Sequence, residues 1–305
     1  MTTETIMQDS EVFSAEIAER KEKKKKRFTK RTILDAVKLT FIYIFLILIA
    51  VIVLLPIVYI VLMSVNADMT LYIDTIFPTH YSFEAFERLF TDTDFLLWYG
   101  NTLIVGAMNA FLCLLLVFPT AYALSRLRFR GRKNYLMVFL VLQMFPGTMA
   151  MVAYYVLLNM LGLLDSYFGI VLVFACTAVP GSTFLMKGYL DTVSREIEEA
   201  AMLDGATRFQ CVVRVMIPLA KPMVGLVCLF GFATPFGDYM LSRFLITDPG
   251  KYTLALGIYD TIFSTAGSTD YALFAAAALL SSLPMTIIYM CLQKVIINGL
   301  SGATK

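Results

Sequence analysis

Six apolar stretches, roughly residues 40–64, 99–124, 135–159, 167–187, 216–238 and 271–294, limit what this chain can fold into. Each supplies about the 20 apolar residues that a helix needs to cross a hydrocarbon core. Inside that core every backbone N–H and C=O must be paired within the protein, which leaves helices or a closed barrel. A barrel requires segments of about ten alternating residues, and none is visible. The expected fold is an all-α integral membrane protein with six transmembrane helices. Only 16% of the 305 residues are charged and 59% are hydrophobic. A soluble domain carries about a quarter charged residues, so a normal polar surface is excluded.

The distribution of charge orients these spans, although the net charge is only +2. Basic residues gather at Lys21–Arg31, before the first span, and at Arg126–Lys133, after the second. Both fall on one side with the 188–215 loop after the fourth span, and lysine and arginine mark the cytoplasmic face. The reading puts both termini inside, in a multi-pass cell-membrane protein. The acidic 66–97 loop and the 239–270 loop then face outward. Residues 1–37 read as a basic cytoplasmic arm, with helical character around Ser14–Lys26. The run Phe41–Met63 is too long for a signal-peptide core of about 7–15 residues. The spans occupy 38–298, and 299–305 form a cytoplasmic tail. The third and fourth spans are joined only by Leu161–Ser166, which predicts a helical hairpin.

The residue inventory excludes several chemistries. The five cysteines at 113, 176, 211, 228 and 291 show no metal-ligand spacing. All but Cys211 lie in apolar spans, where cysteine acts as a small hydrophobe. His80 is the one histidine and sits in an outward loop, away from Gly181-Ser182, so a serine hydrolase has no base. Prolines 56, 119, 146, 180, 235 and 284 lie in or near spans. Each frees a carbonyl and bends its helix, which suits a translocation path and is also ordinary in membrane helices.

The polar stretch 191–222 carries the most information. Ser194 is placed to cap a helix whose first turns hold Glu196, Glu198 and Glu199, where carboxylates complement the helix dipole. Ala200 and Ala201 favour the helix and let another backbone come close. Asp204-Gly205 ends it, because glycine adopts a left-handed cap without strain. Thr207 through Gln210 fits a capping box opening a second short helix. Pro218 is expected in the first turn of the fifth span, where its missing N–H costs nothing. The result is helix, sharp turn, helix on the cytoplasmic face. A lipid-bound amphipathic helix is the alternative, but its acidic first half disfavours anionic lipid. A protein partner fits better.

Glu199-Ala200-Ala201, Gly205 six residues beyond Glu199, and Ile217-Pro218-Leu219 resemble the EAA loop of ATP-binding-cassette (ABC) importer permeases. That resemblance implies the type I permease fold, with this loop as a coupling helix docked in a groove of an ATP-hydrolysing subunit. It implies that Glu199 meets a basic residue of the ATPase, that Ala200 and Ala201 pack in the groove, and that Asp204-Gly205 makes the turn, with Pro218 closing the motif. Ser182–Leu190, Tyr252–Ile258, Phe274–Pro284, Gln293-Lys294 and Asn298–Leu300 extend the likeness to the smaller permease subunit of maltose and maltodextrin importers. The implied partners are a second permease, a pair of ATPase subunits and an extracytoplasmic solute-binding protein. The 239–270 loop is expected to touch the binding protein, and the tail the ATPase pair.

The implied activity is import of maltose or maltooligosaccharides, with no catalysis on this chain. No G-x-x-x-x-G-K-[ST] phosphate loop is present. The chain is therefore expected to hold no cofactor, ATP and Mg²⁺ being bound by the partner. Polar groups inside spans are candidates for a sugar path because they are costly in lipid: Asn109, Gln143, Thr148, Tyr154, Tyr155, Ser182, Asp238 and Tyr239. Asp238 and Tyr239 fit equally as interfacial residues. The alternatives are the same architecture carrying another oligosaccharide, an amino acid or a polyamine, or a secondary transporter. A charged solute calls for opposite charges in the spans, and a secondary transporter for mid-membrane carboxylates and inverted repeats. Neither pattern is evident.

Overall fold

The structure, a computed structural model, describes residues 35–67, 80–144, 147–263 and 270–302. Most of the basic arm, including Ser14–Lys26, lies outside them, as do tail residues 303–305. The chain divides into two units, residues 1–59 and 60–305. In the first, the described residues are the start of helix α1, Asp35–Ser64, whose mean hydropathy reaches 3.4. At 1.5 Å per residue its 30 residues span roughly 45 Å, enough to cross a bilayer.

The second unit is helical. In order come α2 (Glu84–Thr91), α3 (Phe95–Arg126), α4 (Arg132–Met144), α5 (Met151–Met160), α6 (Tyr167–Thr192) and α7 (Arg195–Leu203). Then follow α8 (Arg208–Cys211), α9 (Ile217–Leu219), α10 (Lys221–Gly237), α11 (Met240–Leu245), α12 (Leu254–Gly257) and α13 (Tyr271–Gly302). Extended pairing among the described residues is confined to one bridge between Asn66 and Tyr81. His80 is exposed in the same connection.

Helix α3 is central and packs along α6 and α10. Between α3 and α10 the contact is made by small residues. A Cβ on Gly231 would lie 2.9 Å from the Cα of Ala110, and one on Gly106 would lie 3.0 Å from the carbonyl oxygen of Phe232. Lipid provides no hydrophobic drive for helices to associate, so close backbone approach and interhelical hydrogen bonds supply it. Asn109 is fully buried in this contact and donates to the Gly231 carbonyl at 2.7 Å. Apolar clusters lie on either side: Val105, Ile170, Phe174, Leu254 and Ala276 toward one end, Val117, Ala121, Met186, Met216 and Val227 toward the other.

The expected hairpin between α5 and α6 forms. Gly162 turns the chain at φ +65°, and Ser166 caps α6 by accepting from the Gly169 N–H at 3.0 Å. Two spans differ from expectation. The third is two helical stretches, Asn134–Met144 and Gly147–Met160, rather than one, and its sequence carries Pro146-Gly147 at the join. The fifth begins at Lys221, because Arg208–Leu219 meets it at 79°. Pro218 therefore closes the preceding segment instead of opening the span. Pro222, one residue inside α10, lacks the N–H that a continuous helix would direct to the Pro218 carbonyl, and its ring would clash there. The bend falls between them at Ala220, where ψ is 7°. Upstream, Val212–Met216 widens into a π turn, and the Ile217 N–H reaches back to Val212. That widening accommodates the missing N–H of Pro218.

The described part of the 239–270 segment, residues 239–263, is a packed cap rather than an open loop. Asn101 of α3 donates to the carbonyls of Gly250 and Tyr252, each at 3.0 Å, and Thr102 Oγ1 accepts from the Leu254 N–H at 2.6 Å. Leu254 and Leu256 are fully buried. The cap is also tied to the α5–α6 turn. Asp165, at φ +55°, accepts from the backbone N–H groups of Thr247 at 3.0 Å and Asp248 at 3.1 Å, while Lys251 Nζ donates to its carbonyl at 2.9 Å. Burial opposes ionisation of Asp165, but those two N–H groups and Lys251 outweigh it and hold the carboxyl below its ordinary value. A depressed carboxyl stabilises the fold above its unfolded pKa, and the contribution fades as pH falls through the folded value. We therefore expect the Thr247 and Asp248 amides to stay protected from hydrogen exchange at neutral pH. They should lose that protection, relative to intrinsic rates, below the ordinary carboxylate value of about 4. Asp165→Ala should expose both amides already at pH 7.

Candidate functional site

The polar turn between α6 and α10 is built from caps. Ser194 Oγ accepts from the Glu196 N–H at 3.2 Å and opens α7. The helix closes at Gly205, φ +89°, with Gly205 N–H on the Met202 carbonyl at 3.1 Å and Ala206 N–H on Ala201 at 3.0 Å. This pair of bonds is a Schellman motif, which uses up carbonyls that the helix end leaves open. The capping box is complete: Thr207 N–H donates to Gln210 Oε1 at 2.9 Å, and Gln210 N–H to Thr207 Oγ1 at 3.3 Å.

Two faces of α7 do different things. Glu196, Glu199, Ala200 and Leu203 fall at helical spacing on one face and are exposed, Leu203 to 89%. Phe209, just past the turn, is 76% exposed. Asp204, Gly205 and Pro218 are exposed and Ala201 is half-buried. The other face carries Glu198, which is buried. Its carboxylate is ion-paired with Arg126 Nε, and its second oxygen accepts from the Tyr122 hydroxyl at 3.0 Å. Arg126 also donates from Nη2 to the Val193 carbonyl at 2.8 Å. Beside it, Ser125 Oγ donates to Asp191 at 2.6 Å, and the Ser125 carbonyl accepts from Arg195 at 3.1 Å and Arg132 at 3.2 Å. The Lys187 ammonium, four residues back on α6, pairs with the other Asp191 oxygen.

In the sequence, Glu198 groups with the other glutamates as a dipole partner and Arg126 with the topology-setting cations. The usable signal was the spacing of Tyr122 and Arg126. They lie four apart at the end of a span and so share one face.

The intramembrane polar residues separate. Asp238, Tyr239, Thr148 and Tyr154 come together around a cavity of about 490 Å³ between α5, α6 and α10, with Thr177 and Thr234. Asp238 Oδ1 is engaged by the Ser242 N–H at 2.8 Å and hydroxyl at 3.1 Å. Tyr239 meets Tyr259 with tilted rings at a centroid distance of 4.1 Å, and Tyr259 stacks on Phe263 at 5.1 Å. Tyr155 is exposed and meets the edge of Phe244. Gln143 lies against Gly181, where its amide nitrogen would be 2.4 Å from an added Cβ, and Ser182 is half-buried. Asn109 is not on the cavity, because its amide holds α3 to α10. Among the described residues no cluster of histidine, cysteine or carboxylate side chains is arranged to hold a metal ion.

Comparison with known proteins matches residues 116–302 to the family of binding-protein-dependent transport system inner membrane components. The chain is 38% identical over 264 residues to the maltodextrin transport system permease protein MdxG of Bacillus subtilis (strain 168), covering 86% of this chain and 95% of that one. It is 36% identical over 273 residues to the galactooligosaccharides transport system permease protein GanQ of the same organism, covering 88% and 96%. A crystal structure of a bacterial ABC transporter that imports the acidic polysaccharide alginate superposes with a TM-score of 0.72 at 29% identity, over 82% of this chain and 93% of that one. With its apolar helices and a capped polar turn inside the matched region, the chain belongs to the inner membrane components of binding-protein-dependent ABC transport systems, a multi-pass membrane permease and not an enzyme.

Proposed function

We propose that this chain is one permease subunit of an ATP-driven importer of neutral oligosaccharides, with maltooligosaccharides as its substrates. The observation that supports this most is the two-faced helix α7. One face is fixed to α3, and the other offers a carboxylate, a small-residue surface and an exposed leucine to a partner. Glu199, Ala200, Ala201, Asp204 and Gly205 form the surface gripped by the ATPase, and Pro218 ends the segment. ATP and Mg²⁺ belong to two ATPase subunits. A second permease completes the channel, and an extracytoplasmic binding protein delivers sugar to the 239–270 cap. The basic flanks of the spans favour an orientation with both termini and α7 in the cytoplasm. Residues 38–298 then act as the permease domain between a basic arm and a short tail.

In this reading the cavity bounded by Thr148, Tyr154, Asp238 and Tyr239 is part of the sugar path. Hydroxyls can meet sugar hydroxyls, and Tyr239 offers a ring face to sugar C–H groups. Gln143, Tyr155 and Ser182 are assigned to its approaches. MdxG is named for maltodextrin and GanQ for galactooligosaccharides, which makes galactooligosaccharides the second candidate. ATP-driven uptake of labelled maltotriose, a galactooligosaccharide and methionine into proteoliposomes holding the whole complex separates these. Maltotriose uptake is expected, galactooligosaccharide uptake alone transfers the assignment, and methionine uptake alone removes carbohydrate from it.

A further inference from the structure

We propose that Tyr122, Arg126 and Glu198 form a latch through which movement of α7 reaches the transmembrane bundle, with α3 as the helix that receives it. This rests on the reading of α7 as the element gripped by an ATPase. A transmitted displacement needs a connection with little freedom at the joint, and an exposed salt bridge is too weak and too mobile to provide one. The Arg126–Glu198 pair is different, with side-chain exposures of 6% and 8%. Both carboxylate oxygens of Glu198 are held by α3, one by Arg126 and one by Tyr122. Residues 122 and 126 share a face of α3, so the two holds act together. Arg126 also grips the Val193 carbonyl, and Ser125 grips Asp191, which ties down the α6–α7 turn at the same point.

The pattern along α7 supports a division of labour. Of its three glutamates, Glu196 and Glu199 are exposed and only Glu198 is buried. Two of the three therefore remain available outside, while the third is committed to the chain's own bundle. A charge taken out of water must be paired well or the cost dominates. A hydrophobic contact would hold α7 at less expense, so the ion pair fits a joint that must not slip. Glu198, Arg126 and Tyr122 act through one another and are positioning residues.

The test uses the complete reconstituted complex with its binding protein and measures sugar molecules imported per ATP hydrolysed. Glu198→Gln keeps the side-chain volume and removes the charge. Imported sugar per ATP is expected to fall at least ten-fold, with all subunits still co-purifying and the KM for ATP unchanged. Glu198→Asp, which keeps the charge, is expected to stay closer to the native ratio than Glu198→Gln. Tyr122→Phe deletes one hydroxyl and no packing, and keeps the test decisive if the charge variants fail to assemble. Its ratio is expected to fall about three-fold. A Tyr122→Phe complex with the native ratio overturns the latch, as does an assembled Glu198→Gln complex within two-fold of native. Failure of the native complex to import any sugar is a separate result, and it contradicts the proposed function instead.

Discussion

Gly205→Asp should reach the membrane in normal amount and lose at least nine-tenths of its sugar import per ATP hydrolysed. Gly205 sits at φ +89° in the closing turn of α7. A side chain in a left-handed conformation costs roughly 1–2 kcal/mol, a small loss for a 305-residue membrane protein. A Cβ at this position meets nothing within 4 Å, so the fold has room for the substitution. The added bulk and charge instead project outward, beside Asp204 and the exposed Leu203, onto the surface proposed to be gripped. Loss of import with full membrane insertion therefore separates docking from folding. Measuring the inserted amount alongside uptake checks this, and normal uptake at normal membrane level contradicts the docking role of the turn.

Gly257→Val should act in the opposite manner, through the fold. The Cβ of a residue at 257 would lie 2.2 to 2.6 Å from three atoms of the Trp98 indole, which is itself buried. Neither side can yield easily, because Thr102 and Asn101 pin the neighbouring cap to α3. Overpacking of this kind costs about 3 kcal/mol, at the upper end of the usual range. The yield of folded chain after mild heating in detergent is expected to drop several-fold. Gly237→Ala is the matched control, since a Cβ there has no neighbour within 4 Å. Equal heat resistance of Gly257→Val and Gly237→Ala contradicts the packing described for the cap.

Much of this architecture is legible in the residue order because it depends on local chemistry. Apolar length gives the spans, and Ser194, Gly205 and the Thr207–Gln210 box give the ends of α7 and α8. What was hidden depends on partners distant in sequence. Glu198 and Glu199 are adjacent and identical in type, and only the position of α3 makes one a buried anchor and the other an exposed contact. The 239–270 segment lacks a long apolar run, so nothing local announces that Leu254 and Leu256 are fully buried. Asn109 shows another use of a polar residue within a span. A polar residue in a span is costly, but here the cost is offset by a hydrogen bond across a helix contact rather than by a ligand. The bend at Ala220 was readable in principle from Pro218 and Pro222 four residues apart, a spacing that one straight helix cannot absorb.

The most direct measurement is ATP hydrolysis by the reconstituted complex as each of a panel of sugars is added with the binding protein. Stimulation by maltooligosaccharides, absent when the binding protein is omitted, is the expected result. A complex that assembles and hydrolyses ATP but responds to no sugar contradicts the assignment to carbohydrate import.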